Sequence, residues 1–174
     1  ALGPTLYALY MFVQYISSPE YVAYPGNNER FFLLHLALFI LPGALFLAAW
    51  TNTDPAALPP LSPAAKKFWA AVLLLLATAF VVAVHLPTLI DAVQGDLEAR
   101  DEYLASPNNF WDVKLLDLGV AVPLEIAVGV GLLRGSAWAT IGLYGAIGWF
   151  ALVGIAVAAM GITMYVNDDP NASG

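Results

Sequence analysis

Residues 68–92 read Phe-Trp-Ala-Ala-Val-Leu-Leu-Leu-Leu-Ala-Thr-Ala-Phe-Val-Val-Ala-Val-His-Leu-Pro-Thr-Leu-Ile-Asp-Ala. The stretch holds no charge until Asp91 and no alternation of polar with apolar residues. About 20 such residues cross the hydrocarbon core of a bilayer as an α-helix. A strand of a membrane barrel would show period-two alternation, which is missing here. The stretch therefore predicts a transmembrane helix, and the rest of the chain repeats the pattern.

Three more stretches meet the same length, at residues 31–50, 113–133 and 137–166. A fifth, weaker one covers residues 2–17 and carries Tyr7, Tyr10, Gln14 and Tyr15, which suits a packed or interfacial helix. Lipid gives the backbone no hydrogen-bond partners, so each span must satisfy its own amides as a helix. The expected fold is an all-α integral membrane bundle, with four firm transmembrane helices and a fifth at the N-terminus. Residues 1–174 then form a single membrane domain.

Composition agrees. The chain is 60% hydrophobic and 11% charged, whereas soluble domains hold about 45–50% apolar and roughly 25% charged residues. The net charge of −7 makes the chain acidic and argues against a nucleic-acid partner, because phosphate binding needs Lys and Arg. No cysteine is present, which removes disulfides, thiolate metal sites and thiol catalysis. The first stretch lacks the basic n-region and cleavage site of a signal peptide, and a chain starting at Ala1 reads as processed or partial.

The breaks between spans are rich in turn formers. Residues 18–30 contain Pro19, Pro25 and Gly26, and residues 51–65 contain Pro55, Pro59, Pro60 and Pro63. Residues 95–110 are polar and acidic, and Gly135-Ser136 is a tight turn that makes the last two spans antiparallel neighbours. Lys66, Lys67 and Arg134 lie on one side, and Arg30, Arg100 and, at the span boundary, Lys114 on the other, a thin margin in favour of the first side. The positive-inside rule then places the N-terminus inside and the C-terminus outside. Acids gather on the outer side, including Glu20, Glu29, Asp91, Asp96, Glu98, Asp101, Glu102, Asp112, Asp168 and Asp169. Asn171-Ala172-Ser173 is an N-glycosylation triplet. Tyr21, Tyr24, Phe31, Trp50, Phe68, Trp69, Phe110, Trp111 and Trp138 sit at span ends, as an interfacial aromatic belt does.

Ionisable groups inside a span are costly and mark candidate sites. His35, His85, Lys114, Asp117 and Glu125 qualify. At 1.5 Å per residue, His35, His85, Lys114 and Asp117 all lie roughly 5–9 Å below the outer boundary. Pro87 is expected to kink the third span just beyond His85. His35 and His85 on adjacent spans suit a haem or, with Asp117, a metal ion. The plainer alternative has each histidine satisfying a nearby carbonyl or hydroxyl, with Lys114 paired to Asp117 at i,i+3. Glu125 lies deepest, roughly 13 Å from the inner boundary, and Tyr144 is at a similar depth on the neighbouring span. A Glu125–Tyr144 hydrogen bond is the expected resolution, with a proton or ion role for Glu125, Asp117 and Lys114 as the alternative. Small residues recur at helix-contact spacing: Ala127, Gly131 and Gly135, then Gly142 and Ala146, then Gly154 and Ala158.

Leu115-Leu116-Asp117-Leu118-Gly119, Pro123 and Gly129-Val130-Gly131-Leu132-Leu133-Arg134 resemble the C-terminal part of uncharacterised bacterial multi-pass membrane proteins. Pro107-Asn108-Asn109 and His85-Leu86-Pro87 add to the likeness, which covers Tyr7 to Met160. The resemblance implies a helical membrane fold, further spans upstream in the full-length relatives, and a role for Asp117. It brings no activity. No nucleophile motif, phosphate loop or zinc-ligand pair is present. The leading expectation is thus a non-catalytic accessory or structural subunit of a larger membrane complex, in contact with lipids and with other subunits or a second copy. The alternatives are a haem- or metal-binding redox protein using His35 and His85, and a small transporter or channel component using Glu125 and Asp117.

Overall fold

The computed structural model describes residues 1–16 and 27–168. The turn formers Pro19, Pro25 and Gly26, the aromatic residues Tyr21 and Tyr24, the acids Glu20 and Asp169, and the Asn171 triplet lie outside the described residues. The Glu29 side chain does too. Every regular element described is helical. Helix α1 spans Leu2–Met11 and continues as a π turn over Phe12–Ile16. Helix α2 spans Asn27–Asn52, α3 spans Pro63–Gln94, the short α4 spans Asp101–Ala105, α5 spans Pro107–Leu133, and α6 spans Ala137–Val166. In α2, α3, α5 and α6, four helices are long and apolar enough to cross a membrane. Helix α1, with ten α-helical and five π-turn residues, is shorter than a full crossing.

The breaks follow from capping chemistry. Ser62 accepts a hydrogen bond from the Ala65 amide at 3.1 Å, with Pro63 opening α3. Proline suits that first turn because its missing N–H would be unpaired anyway. Gly135 takes φ +72°, and the amides of Gly135 and Ser136 donate to the carbonyls of Leu132 and Gly131. This is a Schellman ending that reverses the chain into α6. Gly95, at φ +84°, ends α3 with the Asp96 amide donating to the Asp91 carbonyl.

The helices pack as a series of neighbours. Helix α3 lies on α5, α5 on α6, α6 on α1 and α1 on α2. The π turn of α1 also meets the start of α5, so the short first helix is central. Close approach comes from glycine. A Cβ on Gly3 would sit 2.6 Å from the Gly148 backbone, one on Gly131 would meet Ala139 and Trp138, and one on Gly142 would meet Val128. One apolar core joins α3, α5 and α6 through Ala70, Leu73, Val128, Leu132, Ala139 and Leu143.

Of the small residues singled out from the sequence, Gly131, Gly142 and Ala146 lie at contacts within the chain, and Gly135 makes the turn. Ala127, Gly154 and Ala158 are exposed instead. On α5 it is the Val128 and Leu132 side that faces the core.

Two prolines change α3 and α5 in the same way. A proline ring cannot donate its nitrogen and crowds the carbonyl four residues earlier. Here the chain answers with a wider turn just ahead of the ring. Phe80–His85 is a π turn before Leu86-Pro87, closed by the Leu86 amide to the Val81 carbonyl. Asp117–Ala121 is a π turn before Val122-Pro123, closed by the Val122 amide to the Asp117 carbonyl. The expected kink after His85 is therefore a π turn ending at His85, and the helix runs on to Gln94. The Thr88 hydroxyl donates to the Val84 carbonyl at 3.2 Å, meeting one carbonyl of the widened turn.

Candidate functional site

Asp117 opens the second π turn and is 6% exposed. The Tyr10 hydroxyl, from α1, donates to Asp117 Oδ1 at 2.6 Å. His85 Nε2, from the π turn of α3, lies 3.1 Å from Asp117 Oδ2. Each carboxylate oxygen thus has a partner from a different helix. His85 is itself 2% exposed, with the Phe80 ring 6.0 Å away between centroids. Its Nδ1 is buried with no hydrogen-bond partner.

A π turn adds one residue to a helical turn and so rotates every later side chain. All three described π turns adjoin this cluster: one follows Tyr10, one ends at His85 and one begins at Asp117. Interhelical polar contacts of this kind hold membrane helices together where water offers no competition.

The cluster differs from the expected sets. Lys114 does not pair with Asp117. Its Nζ sits 3.2 Å above the Phe110 ring centroid and donates to the Phe110 carbonyl at 3.4 Å. That placement keeps the ammonium half-buried against an aromatic face. His35 is half-buried among rings, 6.4 Å from both Phe12 and Phe31. Among the described residues no group of three or more His, Cys, Asp or Glu side chains could hold a metal ion, so His35, His85 and Asp117 do not form the expected metal set.

Glu125 stands eight residues beyond Asp117 on α5, roughly 12 Å along the axis. It does not meet Tyr144. The Tyr144 hydroxyl donates to the Pro59 carbonyl at 3.1 Å and ties the proline-rich loop to α6. Glu125 is 6% exposed, and its Oε2 is buried with no hydrogen-bond partner. It lines a cavity of about 110 Å³ between α1, α2, α5 and α6. Leu6, Phe46, Leu124 and Trp149 are among the apolar walls, and Tyr10 also lines it. Trp149 packs edge-on against Tyr10 at 5.5 Å, and its indole Nε1 is buried without an acceptor.

The sequence had marked His85, Asp117 and Glu125. It had not marked Tyr10 or Trp149 as site residues. The signal for Tyr10 was its place in the most polar of the apolar stretches. Trp149 carried no signal, because it sits inside a span like any core aromatic. Comparison with family models, curated proteins and solved structures finds no match to this chain.

Proposed function

We propose that the protein is a non-catalytic subunit of a larger membrane assembly. The observation that carries this reading is the outer half of α6. The helix is 30 residues long, yet its part beyond Phe150 is mostly uncovered. Gly154, Ala158 and Gly161 are exposed there, and a Cβ at Gly154 or Gly161 would meet nothing within 4 Å. Small residues give lipid chains little to pack on but let another helix approach closely.

Helix α2 adds to this. It packs chiefly against α1 and exposes Phe32, Leu33, Leu34, Phe39, Ile40 and Leu41. The buried polar groups support a structural role, since Asp117 ties three helices together. Lys66, Lys67 and Arg134 fall at one end of the bundle, beside the Thr53–Ser62 loop and the Gly135 turn. This supports an orientation with the Thr53–Ser62 loop and the Gly135 turn inside and the C-terminus outside.

The test is native isolation in mild detergent from the membrane where the chain is made. The expected result is recovery with a stoichiometric membrane partner or a second copy. That contact should be weakened by Ala158→Phe on the uncovered face. Recovery as a lone monomer contradicts the reading.

A further inference from the structure

We propose that the hollow between α3 and α6 holds one acyl chain of an anionic phospholipid, with the phosphate bound by Lys66 and Lys67 at its mouth. The site is independent of the subunit reading.

The hollow has a volume of about 260 Å³. Trp69, Val72 and Leu76 line it from α3, and Leu143, Ile147 and Phe150 from α6, with no charged residue in its walls. The lining starts six residues into each helix and ends thirteen residues in. At 1.5 Å per residue it runs roughly from 9 to 20 Å below the end the two helices share. That is the reach of the chains in one leaflet, whose hydrocarbon is about 15 Å deep. Apolar walls accept a chain but do not choose a headgroup. The choice comes from the mouth.

Three of the chain's six Lys and Arg residues, Lys66, Lys67 and Arg134, lie at that end. Among the described residues none of the three is in an ion pair. At the other end Arg100 pairs with Asp91, and Lys114 rests on Phe110. Asp54 is the one acid in the loop before α3, and its carboxylate accepts the Ala56 amide at 2.9 Å. Lys66 also stands on the right face. Lys66, Trp69, Leu73 and Leu76 follow at i, i+3, i+7 and i+10, a single stripe of α3. Helical side chains lean toward the N-terminus, so the half-buried Lys66 and the exposed Lys67 reach up to headgroup level rather than down into the hollow. A basic mouth between membrane helices is the arrangement that takes an acidic lipid headgroup. The positive-inside rule explains the sign of this end. It does not require a lysine to continue the stripe that lines a hollow.

The experiment is thermal unfolding of the full chain in nonionic detergent, with dioleoyl phosphatidylglycerol or dioleoyl phosphatidylcholine at equal mole fraction. A ligand that binds only the folded state raises the unfolding temperature. Wild-type protein is expected to gain several degrees more from phosphatidylglycerol. Each basic residue near an acidic headgroup is worth about fivefold in affinity, so the Lys66→Gln, Lys67→Gln double variant should need about 25-fold more phosphatidylglycerol for the same gain. Val72→Phe fills the hollow with an apolar ring and should lose the excess with both lysines in place. Comparing the two lipids within each variant cancels any change in its own stability. Equal gains from the two lipids in the wild type overturn the proposal. So does an excess unchanged in the lysine variant, and one unchanged in Val72→Phe shows that the lysines act only as diffuse surface charge. An equal gain from glycerol phosphate, the headgroup without its chains, overturns the lipid assignment in favour of a free anion.

Discussion

Tyr10 and Asp117 are 107 residues apart in sequence and 2.6 Å apart as donor and acceptor. Their hydrogen bond joins the first helix of the chain to the π turn of α5. His85 completes the contact from α3. At the centre of a span a charged carboxylate costs about 2.5–3.5 kcal/mol on insertion scales, and Asp117 lies nearer the boundary. Here both of its oxygens are satisfied by helices that must come together for that to happen.

Removing the carboxylate should therefore loosen the bundle. Asp117→Ala leaves the Tyr10 hydroxyl and His85 Nε2 without their partner. The expected loss is about 3 kcal/mol of unfolding free energy, as for other broken buried pairs. Asp117→Asn keeps the shape and one acceptor and should lose less. Unfolding in mixed micelles measures both, and equal stability of all three proteins would refute the clamp.

The close approach of α1 to α6 predicts intolerance at Gly3. A Cβ there meets Gly148 backbone atoms rather than a flexible side chain. Gly3→Ala should cost about 1–3 kcal/mol by overpacking. It should also shift Trp149 fluorescence, because Tyr10 packs edge-on against that ring. A neutral Gly3→Ala variant would mean that α1 does not sit on α6 as described.

Gly142 offers a case with a built-in rescue. An added Cβ would lie 2.6 Å from Val128 Cγ2, and valine is held near one rotamer in a helix. Gly142→Ala alone should destabilise by about 1–3 kcal/mol. Adding Val128→Ala should recover part of that loss. A double variant worse than the sum of the two singles would contradict the α5–α6 contact.

The prolines make an unusual prediction. Replacing an interior helix proline by alanine ordinarily stabilises a helix by up to about 3 kcal/mol. Pro123→Ala should instead allow the π turn at Asp117–Ala121 to tighten. Loss of the extra residue rotates Asp117 by about 100° relative to the rest of α5. The energetic coupling between Tyr10 and Asp117 should then fall. A more stable variant with that coupling intact would separate the π turn from the proline.

The spans were legible because lipid solvent demands long apolar runs, and runs such as residues 68–92 have few other readings. The breaks were legible from Pro55, Pro59, Pro60 and Pro63 and from the Gly135-Ser136 turn, whereas the capping roles of Ser62 and Gly95 emerged only in the structure. The site was half legible. Counting residues from the span ends put His85 and Asp117 in one layer, and the structure joins them. The same count put His35 and Lys114 there too, and neither belongs to the cluster. Rise per residue gives depth, but contact also needs the direction around the helix axis. Two π turns shift that direction, and no periodic pattern records them. The proline two residues past each turn was the available trace. Glu125 was flagged by its depth, while its expected partner Tyr144 reaches Pro59 instead. Depth again could not decide which way the side chain turned.

A double-mutant cycle on Tyr10 and Asp117 tests the central claim most directly. Unfolding free energies of the wild type, Tyr10→Phe, Asp117→Asn and the double variant give the interaction between the two side chains. The expected coupling is about 1–2 kcal/mol, in the upper range for interhelical hydrogen bonds in membranes. Additivity within about 0.3 kcal/mol would show that the two residues do not hold α1 to α5, and would contradict the account.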